Sequence, residues 1–294
     1  MDYPNAVIMP NSTDLNAITF NNYYFRLKMI AQAVFKWNGL PNSINERYIE
    51  RYLFDYGECV FFHDFEKGWM IARYNRDGDL NYYDEPTTVT PVFTGSETKP
   101  EEPLVNGKNC VLIWNNDNAI PTHFPVIQAA ADLAEIKRTI DVNIEAVKTP
   151  LMVTCTKNQL LTIKNALKQR KDNEPVLIMD KSMEGLENIK VLKTDAPIVF
   201  DKLRLEWKNV WNETMTMLGV NNANQDKKER LVADEVSAND EQIARSAWVM
   251  LKPRQEAAKR MSELCGREIT CEIRSCSEAL EGFLGGEKEN REEG

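Results

Sequence analysis

The sequence lacks the features that mark several large classes of protein. It has only two histidines in 294 residues, and none of its six cysteines forms a Cys-x-x-Cys pair. No apolar run approaches the roughly 18 residues of a membrane span, and the start Met-Asp-Tyr-Pro has no basic or apolar signal region. We therefore expect a protein that is made in the cytoplasm, keeps its cysteines reduced and has no membrane segment.

Sequence motifs of catalysis are absent as well. No Gly-x-x-x-x-Gly-Lys-Ser/Thr, His-Glu-x-x-His or Gly-x-Ser-x-Gly occurs, so ATP hydrolysis would have to come from another protein. His63 and His123 stand without a second His or Cys at ligand spacing, and Cys271 and Cys276 would lie on opposite faces of a strand. We expect that the chain is not an enzyme and holds no metal and no cofactor.

The composition permits one or two compact units. Hydrophobic residues make up 43% of the chain, which is enough for a core, and 28% charged residues with a net charge of −9 indicate a soluble acidic protein. Tight binding to nucleic acid normally depends on excess Lys and Arg. Any contact with DNA is therefore expected to be weak on average.

The first half of the chain is predicted to contain two helices and a sheet. Residues 1–17 are polar and indicate an extended or mobile tail. Apolar residues at spacings of three and four predict a helix over 20–37 and a shorter one over 45–56. From 58 to 113, short β-type runs alternate with Gly and Asn turns, which predicts a small antiparallel β module.

The second half is predicted to be dominated by long helices. A helix over 124–148 would be roughly 35–40 Å long, and strand-like runs in 151–192 predict a compact α/β insertion after it. A further helix is expected from 240 to 265, followed by a strand over 268–275. The Gly- and Glu-rich end of the chain from 277 is expected to be disordered.

The stretch from 193 to 241 is the most informative. Pro197 is suited to the first turn of a helix, and Gly219 to its end. The apolar face of that helix is formed by Leu203, Trp207, Val210, Trp211 and Leu218. The polar segment 221–238 that follows is long for a loop in a compact domain, and such loops are usually functional or disordered.

Several segments of this stretch resemble the connector of small protein-primed tailed bacteriophages, which is also called the portal or upper collar protein. The resemblance is to the podovirus connectors of the phi-twenty-nine type and covers most of residues 20 to 275. Upstream it continues in Asn115-Asn-Asp and Lys148-Thr-Pro. The segments that carry it are Lys193-Thr-Asp-Ala-Pro, Asp201-Lys-Leu, Asn222-Ala-Asn, Lys227-Lys-Glu-Arg and Asp234-Glu-Val-Ser-Ala-Asn-Asp-Glu-Gln.

The resemblance implies an α+β, portal-type elongated protomer, assembled as a ring of about 12 copies. It implies long stem helices, a small β-rich wing module and a small α/β clip. The expected regions are an N-terminal tail (1–17), first helices and wing (18–121), a stem helix (122–149), the clip (150–196), a stem or channel helix (197–218), a channel loop (219–238), a wing or crown helix and strand (239–276) and a disordered tail (277–294).

The function implied is a channel at the unique capsid vertex. Double-stranded DNA would pass through it during packaging and ejection, and the ring would attach first the packaging motor and then the tail. The expected partners are further copies of the chain, the DNA, the major capsid and scaffolding proteins, the packaging ATPase with or without a packaging RNA, and the lower collar or tail protein. The protein would reside in the virion at the head–tail junction.

The resemblance also implies roles in the channel for individual residues, and the side chains of the helix over 197–218 indicate a packing role. The DNA channel would be lined by Lys193, Lys202, Lys227, Lys228 and Arg230. A loop projecting into it as a one-way valve would contain Asn221, Asn222, Asn224, Gln225, Asp226, Glu229, Asp234 and Glu235. Packing between subunits would involve Trp207, Trp211, Met215 and Leu218, since aromatic and Met side chains are enriched at protein interfaces.

Other interpretations start from the same residues. The lysines could be ordinary solvated side chains, and the acidic residues around Asp234 could form the metal site of a nucleic-acid-processing enzyme. A non-viral helical scaffold that forms rings is a further alternative. The sequence also departs from the family at its start, where the relatives have a basic arm that helps to hold packaging RNA and this chain has no Lys or Arg before Arg26.

Overall fold

The computed structural model describes residues 12–93, 100, 102–148, 151–154, 190–193, 198–221 and 233–274. They form helices and antiparallel sheets, which is the α+β class that the sequence predicted. In chain order the elements are α1 (Ser12–Gln32), β1 (Phe35–Asn38), α2 (Glu46–Tyr56), β2 (Glu58–Asp64), β3 (Gly68–Leu80), β4 (Pro86–Val92), β5 (Leu104–Val105), β6 (Cys110–Trp114), α3 (His123–Lys148), β7 (Leu151–Thr154), β8 (Lys190–Lys193), α4 (Phe200–Met217), α5 (Ala233–Cys265) and β9 (Thr270–Ile273).

The chain divides into two compact units. The first consists of Met1–Glu135 and Lys208–Gly294, and the second of Ile136–Trp207. Helices α3 and α4 each begin in one unit and end in the other, so the boundary falls within continuous helices.

A five-stranded antiparallel sheet of order β5-β4-β3-β2-β6 forms the predicted β module of the first unit. Cys59 and Phe61 of β2 pack on one side in a core that also contains residues of α2 and α5. Val60 and Phe62 pack on the other side against Val89 and other residues of β4 to β6. Because both faces of β2 are buried, its sequence is a continuous apolar run rather than an alternating one.

Helix α2 has the boundaries that its capping residues predict. Asn45 precedes it, and the Asn45 side-chain oxygen accepts a hydrogen bond from the backbone N–H of Arg47 at 3.1 Å. Gly57 ends it in the left-handed conformation at φ +80°, and its N–H donates to the carbonyl of Leu53 at 3.0 Å. A side chain at position 57 would also collide with the carbonyl oxygen of Ala119, 2.0 Å from the Cβ position.

The first helix is the main correction to the sequence analysis. It begins at Ser12, inside the predicted tail, and ends at Gln32, whereas the sequence predicted a helix over 20–37. The segment Phe35–Asn38 is instead strand β1, which pairs antiparallel with β9, with Trp37 opposite Cys271. The strand partner lies more than two hundred residues away, so tertiary pairing overrides the local helical pattern.

The last helix is also longer than predicted. It begins at Ala233 rather than near 240, and it continues through Pro253 to Cys265. Six residues of the predicted channel loop, 233–238, therefore have helical backbone. The β9 strand that follows has the position expected for the final strand, with bounds Thr270–Ile273.

In the second unit, the described part of the predicted clip is a pair of antiparallel strands. Residues of β7 pair with those of β8, with Leu151 opposite Lys193 and Thr154 opposite Lys190. The helix expected near 160–170 and the strand expected near 176 lie outside the described residues. The backbone N–H of Val199 donates to the side-chain oxygen of Asn143 at 3.3 Å, which ties the entry of α4 to α3 within this unit.

Candidate functional site

Helix α4 carries most of the predicted site residues whose side chains the structure describes. Lys202 is exposed in its first turn. Lys202 makes no ion pair with another described residue, and its side chain is exposed to solvent. An exposed lysine without an ion pair can contact a phosphate without first giving up an interaction within its own chain.

Two further positive charges lie on the same helix and were missed by the sequence analysis. Arg204 and Lys208 are both exposed, and their spacing of four puts them on one side of α4. Their spacing of four could have been recognised in the sequence, because both residues fall within the predicted helix. They do not belong to the segments that carry the resemblance to the connector family.

The predicted interface residues separate into two groups. Met215 and Leu218 are 4% and 1% exposed, so their side chains belong to the core of the chain itself. Trp207 and Trp211 are half-buried. The apolar stripe of the helix was assigned to a neighbouring subunit, but its C-terminal end is already covered within the protomer.

Trp211 forms a cation–π contact that sequence analysis did not foresee. The guanidinium carbon of Arg26, on α1, lies 4.5 Å from the centroid of the indole ring. Such contacts contribute about 0.5–2 kcal/mol, depending on how far they are desolvated. The contact links α1 to α4 inside the first unit, and it arises between residues too distant in sequence for a local pattern to reveal it.

The turn after α4 brings the helix end close to α5. Gly219 has the left-handed φ of +72° that its predicted role as a C-cap requires, and the N–H of Val220 donates to the carbonyl of Met215 at 2.9 Å. A Cβ at position 219 would lie 2.6 Å from the Cβ of Ala247. Glycine is therefore needed both for the backbone conformation and for the close approach of α5.

This contact fixes one end of the predicted channel loop. Ala247 lies 14 residues into α5, so the start of α5 is about 21 Å away along the helix axis. The 14 peptide steps from Gly219 to Ala233 can span about 48 Å when extended. The connecting segment is therefore about twice as long as the span requires, and this slack permits a projecting loop.

The remaining predicted site residues are only partly within the described chain. Asn221 is exposed at the start of the loop, Lys193 is the last residue of β8, and Asp234 and Glu235 have helical backbone in α5. The residues outside the described ranges are Asn222, Asn224, Gln225, Asp226, Lys227, Lys228, Glu229 and Arg230.

One ionisable cluster with a strongly raised pKa lies on the sheet. The Tyr74 hydroxyl donates to Glu58 Oε2 at 2.5 Å, and Arg76 Nη2 donates to the same oxygen at 3.0 Å. Burial and the Glu58 carboxylate raise the pKa of Tyr74 well above its usual range. The hydrogen bond of Tyr74 joins β3 to β2. Because the hydroxyl keeps its proton, Tyr74 is a poor general base.

The described residues contain neither a metal site nor a membrane-spanning helix. In that part of the chain, no group of three or more His, Cys, Asp or Glu side chains is placed to hold a metal ion. None of the helices described there is long and apolar enough to cross a membrane.

Comparison with known proteins identifies the family to which the chain belongs. The sequence profile of the family described as Phage Connector (GP10) matches residues 10–276, which is most of the chain. The chain therefore belongs to the phage connector family, whose members are portal proteins.

Three solved structures are similar to the chain. A chain in the portal and tail of native bacteriophage P68 matches at 14% identity and a TM-score of 0.52, and the match covers 98% of this chain and 100% of that one. A chain from the virion of a native gene transfer agent particle matches at 11% identity and a TM-score of 0.42, covering 99% of this chain and 91% of that one. An HK97-family phage portal protein from Corynebacterium diphtheriae matches at 8% identity and a TM-score of 0.41, covering 89% and 94%. The first of these likenesses supports a portal-type fold.

The chain is thus a phage connector, that is, a portal protein of the virion. This conclusion rests on the family match over residues 10–276, with the portal-type fold in agreement. Neither the acidic nuclease nor the non-viral scaffold gains support from these comparisons.

Proposed function

We propose that about 12 copies of the chain form a ring at the unique vertex of the capsid and that double-stranded DNA passes through its centre. The family match supports this, and so does a simple estimate of size. If each copy contributes one channel helix at about 10 Å spacing, the helix axes form a ring about 38 Å across. Subtracting one helix diameter leaves about 28 Å, which accommodates a duplex.

The acidic composition is suited to such a channel. A net charge of −9 per chain gives on the order of −100 for about a dozen copies, so the ring as a whole repels the phosphate backbone. A polymer that must slide should not be bound tightly. The exposed positive charge of Lys202 supports its assignment to the channel, and Lys193, Lys227, Lys228 and Arg230 are proposed to complete rings of positive charge that centre the DNA.

The loop between α4 and α5 is proposed to act as a one-way valve in that channel. It has about twice the length needed to connect its anchors, and its start is fixed by the contact of Gly219 with Ala247. A segment of this kind can bend with DNA moving inward and resist DNA moving outward. Asn221 through Arg230 would then contact the duplex, while Asp234 and Glu235 would belong to the helical base of the loop.

The proposed partners follow from a portal's position in the virion. They are the major capsid and scaffolding proteins around the wing, and the packaging ATPase and then the lower collar or tail protein at the clip. A closer relationship to connectors of the phi-twenty-nine type is part of this proposal. The ATPase would supply all nucleotide hydrolysis, since the chain itself has no nucleotide-binding motif. The absence of Lys and Arg before Arg26 argues that any packaging RNA is held by other residues.

The deciding experiment is native mass spectrometry of the purified chain at moderate salt, combined with negative-stain imaging. We expect a closed ring of about 12 subunits with an axial opening wide enough for a duplex. A ring without an opening would contradict the channel. A monomer or dimer that persists across a wide range of concentrations would contradict the ring itself, and metal-dependent cleavage of DNA would then be the next assay.

A further inference from the structure

Helix α1 has a second apolar face that nothing in the described chain covers. Leu27 and Ala31 are 0% and 9% exposed and pack into the first unit. Ile18, Phe25 and Met29 lie about 160–180° around the helix from Leu27 and are 46%, 56% and 65% exposed. We call these three residues the outer stripe of α1. A helix that is apolar on both faces is normally buried on both.

Helix α3 has a similar exposed stripe in the same unit. Val126, Ala130 and Leu133 are fully buried. Phe124 and Ile127 are 62% and 37% exposed, and Ala131, which lies between them in projection, is also exposed. We call Phe124, Ile127 and Ala131 the outer stripe of α3. The alanine leaves room for another helix to approach closely.

Within one chain the two helices meet through their inner sides. The hydroxyl of Tyr24 and Nδ1 of His123 are 2.9 Å apart, and the two rings pack edge to face. Both residues lie on the sides of their helices that face the core. The outer stripes therefore do not cover each other within the protomer.

The charges beside the two stripes are opposite in sign. Residues 15–32 of α1 contain Arg26 and Lys28 and no acidic residue, and Lys28 is already paired with Asp55 of the same chain at 2.6 Å, which leaves Arg26 as the charge beside the stripe. Residues 123–136 of α3 contain Asp132 and Glu135 and no Lys or Arg. Arg26, Asp132 and Glu135 are exposed. Opposite charges flanking two apolar surfaces favour their association and fix its orientation.

We infer that the outer stripe of α1 packs on the outer stripe of α3 in the neighbouring copy of the chain. A closed ring requires that two different surfaces of one chain meet, because its interfaces are heterologous. The two stripes are a pair of this kind, apolar at the centre and complementary in charge at the rim. The inference rests on the proposed ring, and it assigns the contact to residues that the sequence analysis did not consider.

The test is a photo-cross-link from a benzophenone-bearing phenylalanine analogue at position 25. Equal amounts of ¹⁵N-labelled and unlabelled chains are assembled together, irradiated and digested with trypsin. We expect a cross-link between residues 1–26 and the peptide 109–137, which contains the whole outer stripe of α3. Half of these products should contain one labelled and one unlabelled peptide, because the two come from different chains. The same analogue at Phe65, which is 81% exposed in a turn of the sheet, is the matched control and should give no such product.

The possible outcomes separate the inference from the proposed function. A ring that cross-links only within one chain overturns the inference, since another segment of the same chain then covers α1. A ring that cross-links to a peptide other than 109–137 overturns the assignment to α3. If the wild-type chain forms no ring, the proposed function fails and the inference fails with it. As a second readout, Phe25→Glu should abolish the ring in native mass spectrometry, whereas Phe65→Glu should leave it intact.

Discussion

Arg254 of α5 and Glu50 of α2 form an ion pair joined by two parallel hydrogen bonds, at 3.0 and 2.9 Å, and their side chains are only 2% and 3% exposed. The other guanidinium donors reach the backbone carbonyls of Asn115 and Met250 and the side-chain oxygen of Asn115. The indole N–H of Trp37 donates to Glu50 at 2.8 Å. One buried cluster thus connects α2, β1, α5 and the end of β6.

Removing the carboxylate of Glu50 should therefore be costly. Glu50→Ala leaves the Arg254 charge buried and without its counterion, a change that typically costs about 3–5 kcal/mol of the free energy of unfolding. Lys252→Ala is the matched control, because Lys252 pairs with Asp117 at 3.4 Å but is 43% exposed, and an exposed pair contributes no more than about 1 kcal/mol. Urea titrations followed by circular dichroism give both values. Equal losses in the two variants would contradict the role of the buried pair.

The glycine at the end of α4 gives a second prediction. Gly219→Ala adds a methyl group 2.6 Å from the Cβ of Ala247 and forces a non-glycine residue into a positive φ. Gly266→Ala imposes the same type of backbone strain at φ +67°, with no atom within 4 Å of the added Cβ. We expect a loss of about 1 kcal/mol at position 266 and a larger one at 219.

A double variant isolates the contact between the two helices. Gly219→Ala combined with Ala247→Gly removes the 2.6 Å contact between the two Cβ atoms, but it keeps the positive φ and leaves the added Cβ 2.8 Å from the backbone Cα of residue 247. We therefore expect the double variant to lose more unfolding free energy than the two backbone effects alone, each about 1 kcal/mol, would remove. A double variant whose loss equals the sum of these two effects would show that the close approach to the backbone of residue 247 is not a source of the penalty.

Buried thiols give a third prediction. Burial raises the pKa of the Cys110 thiol to about 12, and it raises those of Cys59 and Cys271 further. The thiolate is the reactive form, so these residues should resist alkylation by iodoacetamide in the folded protein at pH 8. Of the four cysteines that the structure describes, Cys265 is the one that is only partly buried, and it should react before the other three.

Peptide mapping of the alkylated protein distinguishes the sites. As pH rises, the unfolded chain releases its thiol protons near pH 8.5, whereas the folded chain keeps that of Cys110 until about pH 12. The proton therefore stabilises the folded state fully below about pH 8.5, and this contribution declines above it. Modification of Cys110 should appear together with loss of folded structure at alkaline pH. Modification of Cys110 in the intact protein at pH 8 would contradict its burial.

The local signals in the sequence were sufficient wherever a boundary depends on neighbouring residues. Asn45, Gly57 and Gly219 define the ends of their helices through bonds to residues no more than five positions away. The pairing of β2 with β3 was predictable for the same reason, because a short turn that ends at Gly68 joins these two strands.

The sequence could not reveal features that depend on distant partners. The segment Phe35–Asn38 directly follows residues with helical spacing, and its strand pairing with Thr270–Ile273 cannot be read from the local sequence. Arg254 has no local indication that its carboxylate partner is Glu50. Met215 and Leu218 have the pattern of an interface, but whether an apolar helix face meets its own chain or a neighbour depends on the tertiary fold.

Shortening the loop after α4 tests its proposed role in retaining DNA. Deleting residues 224–228 leaves nine peptide steps between Gly219 and Ala233, which can reach about 31 Å and still cover the span of about 21 Å along α5. We therefore expect the ring to assemble and to admit DNA normally. Because the shorter loop can no longer project far into the channel, filled heads should lose their DNA before the tail is attached.

The matched control replaces residues 224–228 with five Gly and Ser residues, so that the length is kept and Gln225 to Lys228 are lost. Nuclease sensitivity of the DNA in purified heads measures retention, and native mass spectrometry confirms that each variant forms the ring. If the deletion releases DNA and the replacement does not, loop length is responsible. If both release it, the side chains of Lys227 and Lys228 are needed as well. Heads that retain their DNA normally with the shortened loop would exclude the valve.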